Sequence, residues 1–506
     1  MVNLVLETTR GRRLLLAAAL GAALIGCRGR DTDSPASPTR IRTGPVAVET
    51  DGAGPAVLPM ATWTLPPGSE AWAPAPLDGP GRVPAPAAAT PAGAPMGGIP
   101  EPSPLAVPAV RQEGPPAPDP AIARVMDRVD AGRLTADVRR LQALGSSVGR
   151  SGDAAPAPAS AAVADWLQAA FTSLAPAAGA QVLVEREPFV STVAGRRSEQ
   201  VNVIATVAGI GLRKRFVYVV ARAYSPPDRG AGGASGAHGD AGNASGAAVI
   251  LEAARVLSER QWDATLRFVA LAPGEDGAAG ARHHAGLARQ VGLPIEVVMS
   301  VEEVGGAAAG GAPLALIHAD GPEDGPSRRL ARHAAFVARL HGLADVAPGP
   351  GTDPAGAASH LAFGAAGFAA LRLTDAAGDR AQRGDDGPGD DVVPESLAER
   401  ARLTVALVAN LALAPSAPVR APVITPVDGR PGALRLSWSP VDDPSVSGYW
   451  IGMRSAAEGW YSVFSWAGAG TEHTVGDVPS GGRPVVAVAA ADALGHVGLF
   501  GPEAGR

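Results

Sequence analysis

Residues 216–220 read Phe-Val-Tyr-Val-Val, an apolar, largely β-branched run with no polar alternation. Such a run fits a strand buried on both faces. A Gly/Ala/Ser-rich stretch from Gly230 to Gly242 follows, then a helical segment from Ala244 to Glu259 that opens after Asn243. Further strands are expected at Thr265–Leu271, Val297–Val301 and Ala369–Leu373. Upstream, Ile122–Leu144 carries apolar residues near a 3.6 period and reads as a helix, as does Ala161–Leu174. Val182–Glu185 and Val201–Val207 read as strands, and Ser396–Leu413 as a long closing helix. Alternating strands and helices predict an α/β domain over residues 121–415, built on a mostly parallel mixed sheet flanked by helices.

Outside this block the texture changes. Arg10, Arg12 and Arg13 precede an apolar run, Leu14–Ile25, too short to span a membrane. The run ends in Leu24-Ile25-Gly26-Cys27, and Cys27 is the only cysteine in 506 residues. Residues 1–27 resemble a bacterial lipoprotein signal. The resemblance implies export, acylation of Cys27 and a membrane anchor that does not span. Arg28, rather than Asp, follows the cysteine, which implies the outer membrane in a cell with two. Residues 28–120 hold 22 of the 48 prolines and few large apolar residues, so they read as a disordered linker. Residues 418–506 alternate with period 2 and hold four of the eight tryptophans. Leu434-Arg435-Leu436-Ser437-Trp438 and Gly448-Tyr449 resemble strands of a fibronectin type III sandwich.

Charge narrows the partners. Lys and Arg total 43 against 49 Asp and Glu, Lys214 is the single lysine, and no dense basic stretch occurs. That argues against a nucleic-acid partner. No Gly-x-Ser-x-Gly elbow stands in the expected strand-to-helix turns, which argues against a serine hydrolase. His283 and His284 are adjacent on an expected helix and point apart, which argues against a shared metal.

Residues 201–375 resemble the M28 family of zinc aminopeptidases. The resemblance is carried by Val201-Asn202-Val203-Ile204-Ala205, by Asn243-Ala244-Ser245-Gly246, by Phe268-Val269-Ala270 with Glu275-Asp276-Gly277 and Gly280, and by Ser359-His360 with Phe363 and Gly367. It implies a zinc-exopeptidase-like fold and two zinc ions bridged by a carboxylate, with a glutamate general base. Matched position by position, the family's first metal-binding histidine falls on Arg222 and the aspartate two residues on falls on Tyr224. The bridging aspartate falls on Gly242 and the general base on Gly274. Glu275, Glu302 and His360 remain at ligand positions. A guanidinium offers only donors and cannot ligate zinc. Catalytic zinc sites normally have three protein ligands, and neither half of this site reaches three.

The sequence therefore reads as a catalytically inactive, membrane-anchored relative that binds a peptide or another envelope protein and needs no cofactor. One alternative is an active zinc aminopeptidase with a rearranged or single-metal site on Glu275, Glu302 and His360. Another is a scaffold that binds through its fibronectin-like module. His238-Gly239-Asp240 repeats the His-x-Asp pattern, but in a Gly-rich stretch that lacks the rigid support ligands need. With no dication present, Arg222 is expected to pair with Glu302 or Glu275, because unpaired buried charge is costly.

Overall fold

The computed structural model describes residues 114–506 except 147–156, 177–180, 194–195, 224–235, 273–277, 307–312, 345, 350–357, 376–391, 431, 477–482 and 506. Before residue 114 it describes only β1 (Arg40–Ile41) and β2 (Trp63–Thr64), which pair antiparallel. The expected signal with Cys27, and nearly all of the linker, lie outside the described residues. Met1–Pro86 and Ala87–Arg506 are separate compact units, and all remaining elements belong to the second.

This unit opens with α1 (Pro120–Met126), α2 (Ala131–Ser146) and α3 (Ala157–Thr172). The sequence suggested one helix where α1 and α2 stand. The break comes from Asp130, whose carboxylate accepts the Arg133 N–H at 2.7 Å as a helix cap. The Asp130 N–H is itself bound by buried Glu252 at 2.9 Å.

An eight-stranded sheet follows. Its spatial order is β3 (Val182–Val193), β4 (Arg196–Val207), β6 (Thr265–Leu271), β5 (Phe216–Arg222), β7 (Ile295–Val301), β10 (Ala370–Thr374), β8 (Leu316–His318) and β9 (Ala347–Pro348). The four middle strands, β6, β5, β7 and β10, run parallel; β4 and β8 are antiparallel to their inner neighbours. On β5, Val217, Val219 and Ala221 face one core, while Phe216, Tyr218 and Val220 face another. The uninterrupted apolar run thus corresponds to a strand covered on both sides.

The covering helices are α4 (Gly236–Leu257), α5 (Ala279–Gln290), α6 (Pro326–Leu340), α7 (Ser359–Ala365) and α8 (Pro394–Leu413). α4 begins eight residues before the expected Ala244, so His238-Gly239-Asp240 is helical; its side chains lie outside the described residues. Gly246 fixes the seat of α4, because a Cβ there would strike the Val301 carbonyl.

The C-terminal segment forms two sheets, β11 (Val423–Pro426), β12 (Leu434–Ser437) and β15 (Glu472–Val475) in one, and β14 (Val463–Trp466), β13 (Val446–Ser455), β16 (Pro484–Asp492) and β17 (Ala504–Gly505) in the other. Leu436, Trp438, Tyr449, Ile451 and Val488 fill the space between them. The other face of the four-stranded sheet is also buried, against α6. Phe336 of α6 meets Trp450, Phe464 and Phe500 with ring centroids at 5.2, 4.5 and 5.7 Å. Buried Arg332 donates to the Gly459 carbonyl at 2.8 Å and lies 3.0 Å from Glu503. Asn410 of α8 pairs its amide with both backbone groups of Val497, at 2.7 and 2.9 Å.

These contacts make the β module part of the same folding unit as the α/β domain. Phe336→Ala should cost about 3–5 kcal/mol. Urea unfolding followed by tryptophan fluorescence and by circular dichroism should give one coincident transition; two separated transitions would show independent modules.

Candidate functional site

The carboxyl ends of the parallel strands form the usual ligand-binding edge of an open α/β sheet. Register decides what meets there. Val220 of β5 and Arg372 of β10 both pair with Ser300 of β7. Two residues further along, on the same face of the sheet, stand Arg222 on β5 and Glu302 after β7. Arg222 and Arg372 are thereby brought to Glu302 from either side.

The four charges interlock. Arg222 Nη2 lies 2.9 Å from Glu303 Oε1 and 3.5 Å from Glu302 Oε2. Arg372 Nη2 lies 2.9 Å from Glu303 Oε2, and its Nε lies 3.4 Å from Glu302 Oε2. Consecutive residues on a strand would point to opposite faces, yet both glutamates reach the cluster. The reason is Glu303, whose φ of 56° is left-handed and turns the chain back. Thr374 Oγ1 holds this turn by donating to the Glu303 carbonyl at 3.1 Å. Glu302 is 1% exposed and accepts from Ser300 Oγ at 2.7 Å and the Ser359 N–H at 3.1 Å. Burial alone would raise its pKa. The Arg222 and Arg372 guanidiniums and these two donors override that and hold it at about 2.

His360, buried at the start of α7, turns to Asp320 instead, with Nε2 2.9 Å from Oδ2. That contact holds the Asp320 carboxyl below its usual range. Tyr224, Gly274 and Glu275 lie outside the described residues, and Gly242 sits within α4. Sequence reasoning missed Glu303, Arg372 and Asp320. Arg372 carried a signal, as a lone charge inside an apolar strand, which requires an internal partner. His283 and His284 also surprise, since both approach one buried carboxylate, Glu187, at 3.9 and 2.9 Å.

Zinc, implied by the family resemblance, can be tested against this donor set. Glu302 has one oxygen committed to hydroxyl and amide donors and the other beside two guanidiniums. A dication there would face two fixed cations. Among the described residues, no group of three His, Cys, Asp or Glu is arranged to hold a metal. The described residues do not fit a zinc pair, and no chemical step follows through one.

Arg222→Met should cost about 3–5 kcal/mol, because it strands a buried carboxylate rather than removing a pair. The pH dependence has a definite sign. The Glu302 pKa falls on folding from 4.5 to about 2, so its contribution is complete above pH 4.5 and is lost as pH falls towards 2. Urea midpoints measured between neutral pH and pH 3 should decline below 4.5, and less steeply in Glu302→Gln.

Residues 202–392 match the family model for peptidase family M28. A probable zinc metalloprotease of Leptosphaeria maculans is 28% identical over 249 residues, covering 44% of this chain and 58% of that protein. A probable zinc metalloprotease of Pyricularia oryzae is 30% identical over 198 residues, covering 37% of this chain and 38% of that protein. The chain thus spans about half the length of these relatives. Among solved structures, the LapA aminopeptidase of Legionella pneumophila superposes with a TM-score of 0.44 at 15% identity, over 58% of this chain and 75% of that one. Arg222, Glu302, His360 and Arg372 all lie within the residues that match the peptidase family M28 model.

Proposed function

We propose that this protein is a catalytically inactive member of the M28 type that acts by binding, tethered to a bacterial envelope membrane through a lipid on Cys27. One observation carries the reading: Arg222 sits between Glu302 and Glu303, at the position where the family resemblance calls for a zinc-binding histidine. A guanidinium there supplies fixed positive charge but no coordination and no Lewis acidity. Gly242 and Gly274, at the bridging and general-base positions, have no side chain to supply either role. Loss of a general base alone costs about 10²–10⁴ in rate. The ligand class this reading favours is a peptide or the exposed segment of another envelope protein, received at the carboxyl edge of the sheet.

The C-terminal module is read as fibronectin type III-like. Its strand orders, β11-β12-β15 and β14-β13-β16-β17, packed over Trp438 and Tyr449, support this. A scaffold function through the module would have to use the β11-β12-β15 sheet, since α6 covers the other. The rival enzymatic reading, a rearranged or single-metal site on Glu275, Glu302 and His360, draws on the relatives described as probable zinc metalloproteases.

Metal analysis and activity separate the two. Purified protein dialysed against zinc should hold well under one equivalent, and should release no N-terminal residue from peptides in a chelator-sensitive manner. Stoichiometric zinc together with such release would establish the enzymatic reading instead.

A further inference from the structure

We propose that Asp119, His496 and Asp492 form a proton-operated clasp that fastens the segment leading into α1, residues 114–119, to the C-terminal β module, closed while the His496 ring carries a proton on both nitrogens and open when it carries one. His496 Nε2 lies 3.1 Å from Asp119 Oδ2, and its Nδ1 lies 2.7 Å from Asp492 Oδ2. Asp492 ends β16 and His496 stands in the turn that follows. The ring is 3% exposed, so water does not stand in for either carboxylate.

An ionised carboxylate only accepts hydrogen bonds, and a neutral imidazole has one N–H and one bare nitrogen. Only the doubly protonated ring donates to both carboxylates at once. Once it loses a proton, one of the two contacts sets a nitrogen lone pair against a carboxylate oxygen. Asp492 is the partner that keeps its bond. It belongs to the same turn, and its other oxygen accepts the Leu494 and His496 N–H groups at 3.0 and 2.9 Å. The contact that fails is the one to Asp119, which is the one that joins the two parts of the chain.

The segment has few other ties to this turn. Gly495 lies so close to it that a Cβ would strike the Ala117 carbonyl. Among the described residues, though, no backbone hydrogen bond joins 114–119 to 492–496. α1 itself is docked through buried Ile122, Val125 and Met126, and Asp119 Oδ1 accepts the Ala121 N–H at 2.7 Å. Opening is thereby confined to the stretch before α1.

Neighbouring charges set the range. Burial disfavours the charged His496 ring, but the Asp492 and Asp119 carboxylates outweigh it and raise its pKa above the ordinary 6.5. Burial likewise opposes ionisation of Asp119, yet the Ala121 N–H, His496 and Arg260 hold that carboxyl below its ordinary 3.8. Two further groups face the clasp. Arg260 stands with its guanidinium 4.3 Å over the Trp262 ring, and His341, at the end of α6, is kept neutral by burial and the His496 charge, at about 4. Arg124 of α1 is turned to the Pro120 carbonyl. The contribution of His496 is therefore complete below pH 6.5 and is lost as pH rises through its raised value. That of Asp119 is complete above pH 3.8 and is lost only in stronger acid.

The test uses the full chain carrying Cys27→Ser and Ala117→Cys, which leaves one thiol, at an exposed position, for a nitroxide spin label. The label should be largely immobile at pH 6. The ratio of mobile to immobile signal should rise by about tenfold or more by pH 9, as loss of one hydrogen bond between charged groups implies. The change should be reversible, with circular dichroism unaltered. His496→Gln removes the titrating group and should abolish the pH dependence. Asp119→Asn sets an amide, which can donate, opposite Nε2, so its label should stay immobile at pH 9. Unchanged mobility between pH 6 and 9, a full response in the His496→Gln chain, or an Asp119→Asn chain that opens as the parent does would each overturn the proposal. None of these outcomes depends on whether the Arg222–Glu302 cluster receives a ligand.

Discussion

Two arginines and two glutamates, all buried or nearly so, hold the carboxyl ends of β5, β7 and β10 together. Taking any one of these charges from water costs several kcal/mol, and only the mutual arrangement offsets it. The cluster is therefore all-or-none. Arg222 without Arg372 would leave Glu302 and Glu303 in excess; Glu302 without Glu303 would leave a guanidinium in excess. Glu303 shows the price of closing the set, since its left-handed φ is a conformation that non-glycine residues adopt at a cost of roughly 1–3 kcal/mol.

The same arithmetic explains how four charges can share this edge of the sheet. In a dinuclear site, bound dications neutralise the converging carboxylates. Here the neutralising charge is covalently part of β5 and β10. It cannot dissociate or exchange, so the cluster is a permanent structural one. His360 stands outside the interlocked charges, with its Nε2 bound to Asp320 at 2.9 Å.

How far the sequence disclosed this depends on the kind of signal. Strands β5, β6, β7 and β10 and helix α8 were legible because each is a run of apolar residues with one period, and burial follows period directly. The pairing of Arg222 with Glu302 was legible because a buried guanidinium requires a carboxylate partner. Glu303 was not, because alternation puts it on the opposite face, and no propensity announces a left-handed glutamate. Asp320 follows β8, a three-residue strand without a periodic signature of its own. The start of α4 at Gly236 was missed because Gly disfavours helix locally. The union of the β module with α6 was equally hidden. Phe336 lies on a helix that period alone does not assign to one neighbour rather than another.

That union constrains any account of the molecule as separate parts joined by linkers. Asn410 satisfies both backbone groups of Val497, and Arg332 is fully enclosed by Glu503, Glu323 and the Gly459 carbonyl. Removing the module would expose Phe336, leave Asn410 without Val497 and leave Arg332 with Glu323 but without Glu503 and the Gly459 carbonyl, so truncation perturbs the α/β core before it reports on binding. Along the other axis, β5 is seven residues long, about 20 Å at roughly 3.3 Å per residue. At its carboxyl end Arg222 is neutralised by Glu302 and Glu303; before its amino end Arg213 pairs with Asp443 and Arg215 with Glu296, so both ends of the strand close these charges within the fold.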